Sequence, residues 1–227
     1  MKRELFDYAN AVLFTLAALL PIVNPLGAAP VFLAMTRYAD DPTRAVLARK
    51  VTFNSFVLLM ASVFIGTYVL EFFGLSIPIV QLGGGLVVCS VAWDMLRGAD
   101  VSKKSTTEGV QDPGAIATEA FYPLTLPLTV GPGSISVAIT IGANHPQTVR
   151  SFVTASVSSL LGVVLISLTI YLCYRYAERL ARFLGSAGTA VVVRLSAFIL
   201  LCIGVQIMWN GLDALIGITG PPHVPRP

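Results

Sequence analysis

The sequence predicts an all-α membrane protein whose six transmembrane segments form two inverted three-span repeats, each with a broken first span. Three observations support this prediction. Of the 227 residues, 55% are hydrophobic and 12% are charged, whereas soluble domains carry about 25% charged residues. The apolar residues form six segments of about 20 residues, the length that crosses a bilayer as a helix. Two of these segments, one at the start of each half, contain Pro and Gly near their middle.

The composition also argues against several functional classes. The net charge is only +3 and the basic residues are dispersed, so a nucleic-acid partner is not predicted. The three cysteines, Cys89, Cys173 and Cys202, all lie inside apolar segments. Their odd number and their position predict neither a disulfide framework nor a metal site. No cofactor is expected, since the sequence contains no ATP-binding loop.

The first half contains three predicted spans, residues 8–35, 51–73 and 77–96. The first of them is interrupted around residues 21–30. Its N-terminal flank carries Glu4 and Asp7, which are untypical of the basic flank of a signal peptide, so this segment is predicted to be a retained span. The first repeat is therefore assigned to residues 1–97.

The second half follows a polar connector, residues 98–118, and contains three predicted spans, residues 120–143, 153–174 and 191–212. Its first span is interrupted around residues 127–134. The second repeat is assigned to residues 119–219. The tail, residues 220–227, contains four prolines and is predicted to be disordered.

The two halves resemble each other in order and spacing. Three residues of the third span recur without gaps in the sixth, with Leu82, Cys89 and Met95 aligned to Leu195, Cys202 and Met208. The break at Asn24-Pro25 likewise corresponds to the break at Gly131-Pro132. Because each repeat holds three spans, the second copy enters the membrane from the opposite side, which predicts inverted repeats.

The distribution of Lys and Arg predicts the orientation of the chain. The loops after the first, third and fifth spans hold ten of these residues, and the opposite side holds four. Because basic residues are enriched in cytoplasmic loops, the connector is predicted to be cytoplasmic. Both termini are then predicted to lie in the periplasm of a bacterial inner membrane.

The first break carries residues that interrupt a helix and can bind a ligand. Pro25 removes a backbone donor, Gly27 permits unusual backbone conformations, and Asn24 can cap the half-helix that follows. Interrupted backbone at membrane depth is tolerated only where it is enclosed by protein or lines a wet cavity. A half-helix N-terminus carries roughly half a positive charge, which makes it an anion site.

The second break repeats this arrangement with Gly131, Pro132 and Gly133. Ser134 is placed to cap the following half-helix or to contact a ligand, and Thr129 lies just upstream. Two breaks at corresponding positions of two halves predict a substrate site between them. The two half-helix ends are therefore expected to approach each other.

The remaining polar residues of the spans are mostly neutral. The spans lack the convergent Asp, Glu, His or Arg residues that catalysis requires, so neither catalytic residues nor enzymatic activity are predicted. Asn54, Gln81 and Gln206 are candidates for lining a cavity. The consecutive glycines at positions 83–85 predict a close helix crossing.

The segments LPIVNPLGAAPVFLAMT and PLTLPLTVGPGSISVAI resemble the paired signature of the MarC family of bacterial inner-membrane proteins. The resemblance covers essentially the whole chain. It implies a multi-pass inner-membrane protein, and the better-characterised members imply transport of small neutral amino acids such as glycine and alanine. The signature includes Pro127. It also includes the residues that are predicted to bind substrate, which are Asn24, Pro25, Gly27, Pro30, Thr129, Gly131, Pro132, Gly133 and Ser134.

The sequence thus predicts a transporter or exporter of small neutral solutes, foremost small neutral amino acids, that works by alternating access. A small-solute channel and a membrane scaffold without a substrate are the alternatives. The predicted partners are a small-molecule substrate and membrane lipid. A homo-oligomer and coupling to H⁺ or Na⁺ are both left open by the sequence.

Overall fold

The computed structural model describes residues 2–97, 113–144 and 149–217, and within these ranges it contains helices and no strand. Most of the predicted connector, residues 98–112, and the predicted tail lie outside the described residues. The helical elements are α1 (Lys2–Val23), α2 (Pro25–Met35), α3 (Asp41–Phe72), α4 (Ile77–Arg97), α5 (Pro113–Glu119), a π-helical segment (Ala120–Thr129), α6 (Pro132–Ala143), α7 (Val149–Arg175) and α8 (Ala177–Ile216).

Five helical segments are long and apolar enough to cross a membrane, and a bent pair supplies a sixth if it is counted as one span. The predicted all-α membrane class is therefore confirmed. In the first half, α1 and α2 together form the candidate span Tyr8–Met35. In the second half, Ile116–Thr129 and Pro132–Ala143 are bent by 73° relative to each other. The two broken spans therefore differ in shape.

Two helices extend well beyond the predicted spans. α3 begins at Asp41 because the Asp40 carboxylate caps it, accepting a hydrogen bond from the Thr43 amide at 3.0 Å. The charged residues between Asp41 and Lys50 form the first turns of this helix, ahead of its apolar part. α8 begins at Ala177 and is kinked at Gly185, whose φ of 65° is a conformation that glycine adopts readily.

The most extensive helix pair is α4 with α8, which pack through glycines. A Cβ added at Gly85 would lie 2.7 Å from the Gly204 carbonyl oxygen, and one added at Gly211 would lie 2.6 Å from the Pro78 carbonyl oxygen. Small residues allow backbones to approach closely in membrane helices. The predicted close crossing is confirmed for Gly85, which faces α8, and for Gly84, which faces Ser136 of α6, while Gly83 faces open space.

The other helices pack on this pair and on one another. α2 packs on α8, α6 packs on α4 and α3, and α7 packs on α1, α2 and α3. The largest core cluster joins these helices and includes Leu19, Phe32, Leu59, Leu124 and Ile166. Many large apolar side chains remain exposed on the outside, as expected for a surface that faces hydrocarbon.

Candidate functional site

The first break consists of a single residue between α1 and α2. Asn24 adopts the left-handed conformation, with φ 45° and ψ 55°, which asparagine tolerates better than most residues. Its side-chain Oδ1 accepts a hydrogen bond from the Gly27 amide at 3.2 Å, so the predicted cap is present. Pro25 and Pro30 have no N–H, which leaves the carbonyls four residues earlier without a helical donor.

The N-terminal turn of α2 lies against α8. A Cβ added at Gly27 would lie 2.5 Å from Asn24 Nδ2 and 2.7 Å from the Cβ of Ser196 in α8. Gly27 is buried, and no larger residue fits between the cap and α8 without a shift. Gly27 therefore allows the capped end of α2 to pack on α8.

The second break follows the π-helical segment, which is not a continuous helix, because Tyr122 and Leu126 have extended backbone conformations. Three prolines, Pro123, Pro127 and Pro132, remove amide donors from this part of the backbone. Two hydroxyls bond to carbonyls five residues earlier, Thr125 to Ala120 at 2.6 Å and Thr129 to Leu124 at 2.7 Å. The two hydroxyls thus supply donors to carbonyls of this segment, as side chains do where the backbone is irregular at membrane depth.

The helix after the second break has no side-chain cap. Gly131 is the N-cap residue of α6, and Pro132, at the first helical position, is exposed. Ser134 does not cap the helix, because its hydroxyl donates to the Gly131 carbonyl at 2.9 Å. The two half-helices therefore differ, since Asn24 caps α2 through its side chain and α6 receives no such bond.

The first turns of α6 pack tightly on α4. A Cβ added at Gly133 would lie 2.0 Å from Val88 Cγ2, and one added at Gly84 would lie 2.9 Å from the Cβ of Ser136. Ser136 is 1% exposed. Its hydroxyl oxygen has no hydrogen-bond partner in the part of the chain that the structure describes. A buried polar atom without a partner is unfavourable and calls for an explanation.

Both breaks therefore lie next to the α4–α8 pair. The second contacts Val88 through Gly133. At the first, Ile22 of the last turn of α1 packs against the cluster formed by Val88, Ala92 and Leu200. The structure thus brings both breaks to the same pair of helices, and α4 and α8 form a contact between the two broken spans.

A residue that the sequence analysis missed connects the broken spans on another side. Tyr174 of α7 is completely buried, and its hydroxyl lies 2.8 Å from Thr129 Oγ1. Its ring stacks on Phe32 of α2, with centroids 4.4 Å apart and planes inclined by 13°. In the sequence, a tyrosine in the last turn of a span has the pattern of an interfacial aromatic residue, so nothing local distinguishes it.

The three predicted cavity-lining residues lie in different places. Gln81 donates to Thr140 Oγ1 of α6 at 3.2 Å. Gln206 is exposed on α8 and donates to Asn210 Oδ1 at 2.8 Å. Asn54 lines an open pocket on α3. Only Gln81 of these three makes a described hydrogen bond to a helix that borders a break.

An ionic network lies at one end of the helices. The Arg44 side chain, 12% exposed, donates to the Ala39 carbonyl at 2.8 Å, the Thr36 carbonyl at 3.3 Å and Glu178 at 3.3 Å. Arg175 lies 3.7 Å from Asp41. These contacts join the loop after α2 to the corner between α7 and α8.

Two groups in that loop have shifted pKa values. Burial, together with a hydrogen bond to the Glu119 carboxylate, raises the pKa of the Tyr38 phenol above its usual value. Hydrogen bonds from the Thr43 hydroxyl and amide lower the pKa of the Asp40 carboxyl, because they favour its charged form.

Comparison with known proteins identifies the family. Residues 9–216 match the model of the MarC family integral membrane proteins. The inner membrane protein MarC of Escherichia coli K12 is 30% identical over 222 residues, covering 93% of this chain and 98% of the relative. The E. coli membrane protein YhcE is 28% identical over 219 residues, covering 95% and 97%.

A third relative, the membrane protein BU267 of Buchnera aphidicola from Acyrthosiphon pisum, is 27% identical over 215 residues, covering 95% of this chain and 97% of the relative. No solved structure is significantly similar to the chain. The match to the family model extends from α1 to the end of α8 and includes both breaks. The chain therefore belongs to the MarC family of integral membrane proteins.

Proposed function

We propose that this protein is a secondary transporter of small neutral solutes, with small neutral amino acids as the substrate class. One observation carries the proposal. The N-terminal turns of α6 lack a side-chain cap and contain a buried Ser136 hydroxyl that has no partner among the described residues. A solute that brings hydrogen-bonding groups to this helix end would provide partners for the uncapped amides and for the Ser136 hydroxyl.

The chemistry of the α6 N-terminus suits an amino acid carboxylate. The amides of Gly133 and Ser134 belong to the first turn, which has no intrahelical acceptors for them. The helix dipole adds roughly half a positive charge. The α2 end is less suitable, because the Asn24 side chain already accepts from the Gly27 amide. We therefore place the carboxylate at α6.

The ammonium group needs carbonyl oxygens. The Pro127 carbonyl lies beside Gly131, 3.4 Å from a Cβ placed there. Pro132, at the start of α6, has no amide that could donate to this carbonyl. Unwound carbonyls next to a half-helix are the groups that transporters use for cationic partners. A neutral substrate side chain then requires no buried counter-charge.

Close packing at the break leaves no open space for a substrate in this conformation. Gly84 and Gly133 leave no room for a Cβ beside Ser136 and Val88 without a shift. The site is therefore occluded in this conformation, and alternating access would have to separate α6 from α4. The buried stack of Tyr174 on Phe32 would close the Thr129 side of the site.

The pairing of the helices supports two repeats. In two repeats, α2 would correspond to α6, α3 to α7 and α4 to α8. Under this correspondence, the packing of α2 on α8 is equivalent to the packing of α6 on α4, and both are present. The pairs α4–α8 and α3–α7 are unchanged by this correspondence. With three spans in each repeat, the repeats are inverted. The excess of Lys and Arg after the odd-numbered spans supports a periplasmic location of both termini.

The test is transport by purified protein in liposomes. Labelled alanine should enter with a rate that saturates, and unlabelled alanine inside should accelerate its uptake by counterflow. Ser136→Ala should reduce this rate, whereas Ser167→Ala should not, because the buried Ser167 hydroxyl donates to the Val163 carbonyl far along α7. Flux that stays proportional to concentration would indicate a channel, and absence of any flux would contradict transport of this class.

A further inference from the structure

An open pocket of about 380 Å³ lies on the outside of α3. It is lined by Arg49, Lys50, Phe53 and Asn54 of α3 and by Ala117 of α5. These α3 residues follow the spacing i, i+1, i+4 and i+5, so they share one side of the helix. The pocket contains none of the break residues, and a ligand there would be independent of the proposed transport.

The pocket lies where α3 passes from its charged part to its apolar part. Arg49 and Lys50 are followed by residues 51–70, which contain no charged side chain. That stretch is about 30 Å long as a helix, close to the thickness of the hydrocarbon core. The two cations therefore sit at the level of the lipid headgroups, and Phe53 lies one turn deeper.

No acidic side chain in the part of the chain that the structure describes pairs with either cation. Within residues 2–97, 113–144 and 149–217, the side chains of Arg49, Lys50 and Asn54 form neither a hydrogen bond nor an ion pair. Arg44 and Arg175, by contrast, both form ion pairs with Asp41. The nearby Glu119 carboxylate accepts a hydrogen bond from the Tyr38 hydroxyl.

We propose that this pocket binds the phosphate of an anionic phospholipid. Arg49, Lys50 and the Asn54 amide supply donors and positive charge for the phosphate oxygens. Phe53 is 66% exposed and lies alongside the acyl chain of the same lipid. Basic pockets between helices at the membrane surface recognise anionic headgroups in this way. The exposed ring and the membrane depth favour a lipid over a free phosphate ester.

The probe is dioleoylphosphatidylglycerol, with dioleoylphosphatidylcholine as the neutral comparison, and bound lipid is measured by native mass spectrometry of the purified protein. Wild type should bind the anionic lipid more tightly. In the double variant Arg49→Gln/Lys50→Gln, affinity for phosphatidylglycerol should fall about fivefold per cation removed, or roughly 25-fold in total. Affinity for phosphatidylcholine should stay the same.

The matched control is Arg179→Gln/Arg182→Gln, which removes the same charge from α8. Unchanged phosphatidylglycerol affinity in this control supports the site, and an equal loss in both double variants overturns it. Phe53→Ala should weaken binding of the lipid but not of glycerol 1-phosphate. If glycerol 1-phosphate binds wild type as tightly as the lipid does, the site is for free phosphate esters and the proposal fails.

Discussion

The hydroxyl of Tyr174 lies 2.8 Å from Thr129 Oγ1. Because the Thr129 hydroxyl donates its own proton to the Leu124 carbonyl, Tyr174 is the donor to Thr129. The Tyr174 ring also stacks on Phe32. One side chain of α7 thus contacts the end of the π-helical segment and the helix that follows the first break, so both broken spans are coupled to α7.

Two substitutions of Tyr174 should separate the energetic contribution of its hydrogen bond to Thr129 from that of its stack on Phe32. Tyr174→Phe loses only the hydrogen bond and should lower the free energy of unfolding by about 1 kcal/mol. Tyr174→Ala also loses the stack and leaves a cavity, which should cost about 3–5 kcal/mol. Thermal or denaturant unfolding in detergent measures both. The exposed neighbour Tyr176 is the control, and equal effects of Tyr174→Phe and Tyr176→Phe would contradict the coupling.

The contact of Gly133 with Val88 should be sensitive to a single methyl group. Gly133→Ala places a Cβ 2.0 Å from Val88 Cγ2, and overpacking of this kind costs about 1–3 kcal/mol. Adding Val88→Ala creates room, so the double variant should be more stable than Gly133→Ala alone. A double-mutant cycle of unfolding free energies measures this coupling, and additive effects would show that the contact is absent.

Alanine substitutions at two neighbouring glycines of α4 should differ in their effect on stability. Gly85→Ala would bring its Cβ to 2.7 Å from a backbone carbonyl of α8, which cannot rotate away, and should destabilise by about 1–3 kcal/mol. Gly83→Ala meets open space and should be neutral or stabilising by up to about 1 kcal/mol, because alanine favours the helix. The melting temperatures of the two variants test this difference, and similar values would contradict the packing.

Removing Arg44 should lower the free energy of unfolding more than removing its partner Glu178. Arg44→Ala removes the donors to the Ala39 and Thr36 carbonyls and should cost about 1–3 kcal/mol. Glu178→Gln removes an exposed partner and should cost at most about 1 kcal/mol. Unfolding measured at low and high salt tests this, since only the Glu178 contribution should weaken with salt. Equal costs would contradict the assigned role of Arg44.

The sequence predicts the elements that depend on local chemistry. Apolar length predicts the spans, Pro25 and Asn24 predict the first break, and the glycines of α4 predict a close helix crossing without identifying its partner. Each of these follows from the properties of a residue and its neighbours, and the structure confirms each of them.

The remaining features depend on which helices pack together. Tyr174 becomes important only because α2 and the π-helical segment both lie against α7. Gln206 faces outward because α8 turns its glycine face toward α4. No local pattern specifies these relations.

The most direct test is ligand-induced stabilisation of the purified protein by alanine or glycine. At a hundredfold excess over the dissociation constant, a ligand of the folded state stabilises it by about 2.7 kcal/mol. Wild type and Ser167→Ala should show this increase, and Ser136→Ala should show a much smaller one although its own unfolding free energy is not lowered. Equal stabilisation of Ser136→Ala and Ser167→Ala would contradict a substrate site at the α6 N-terminus.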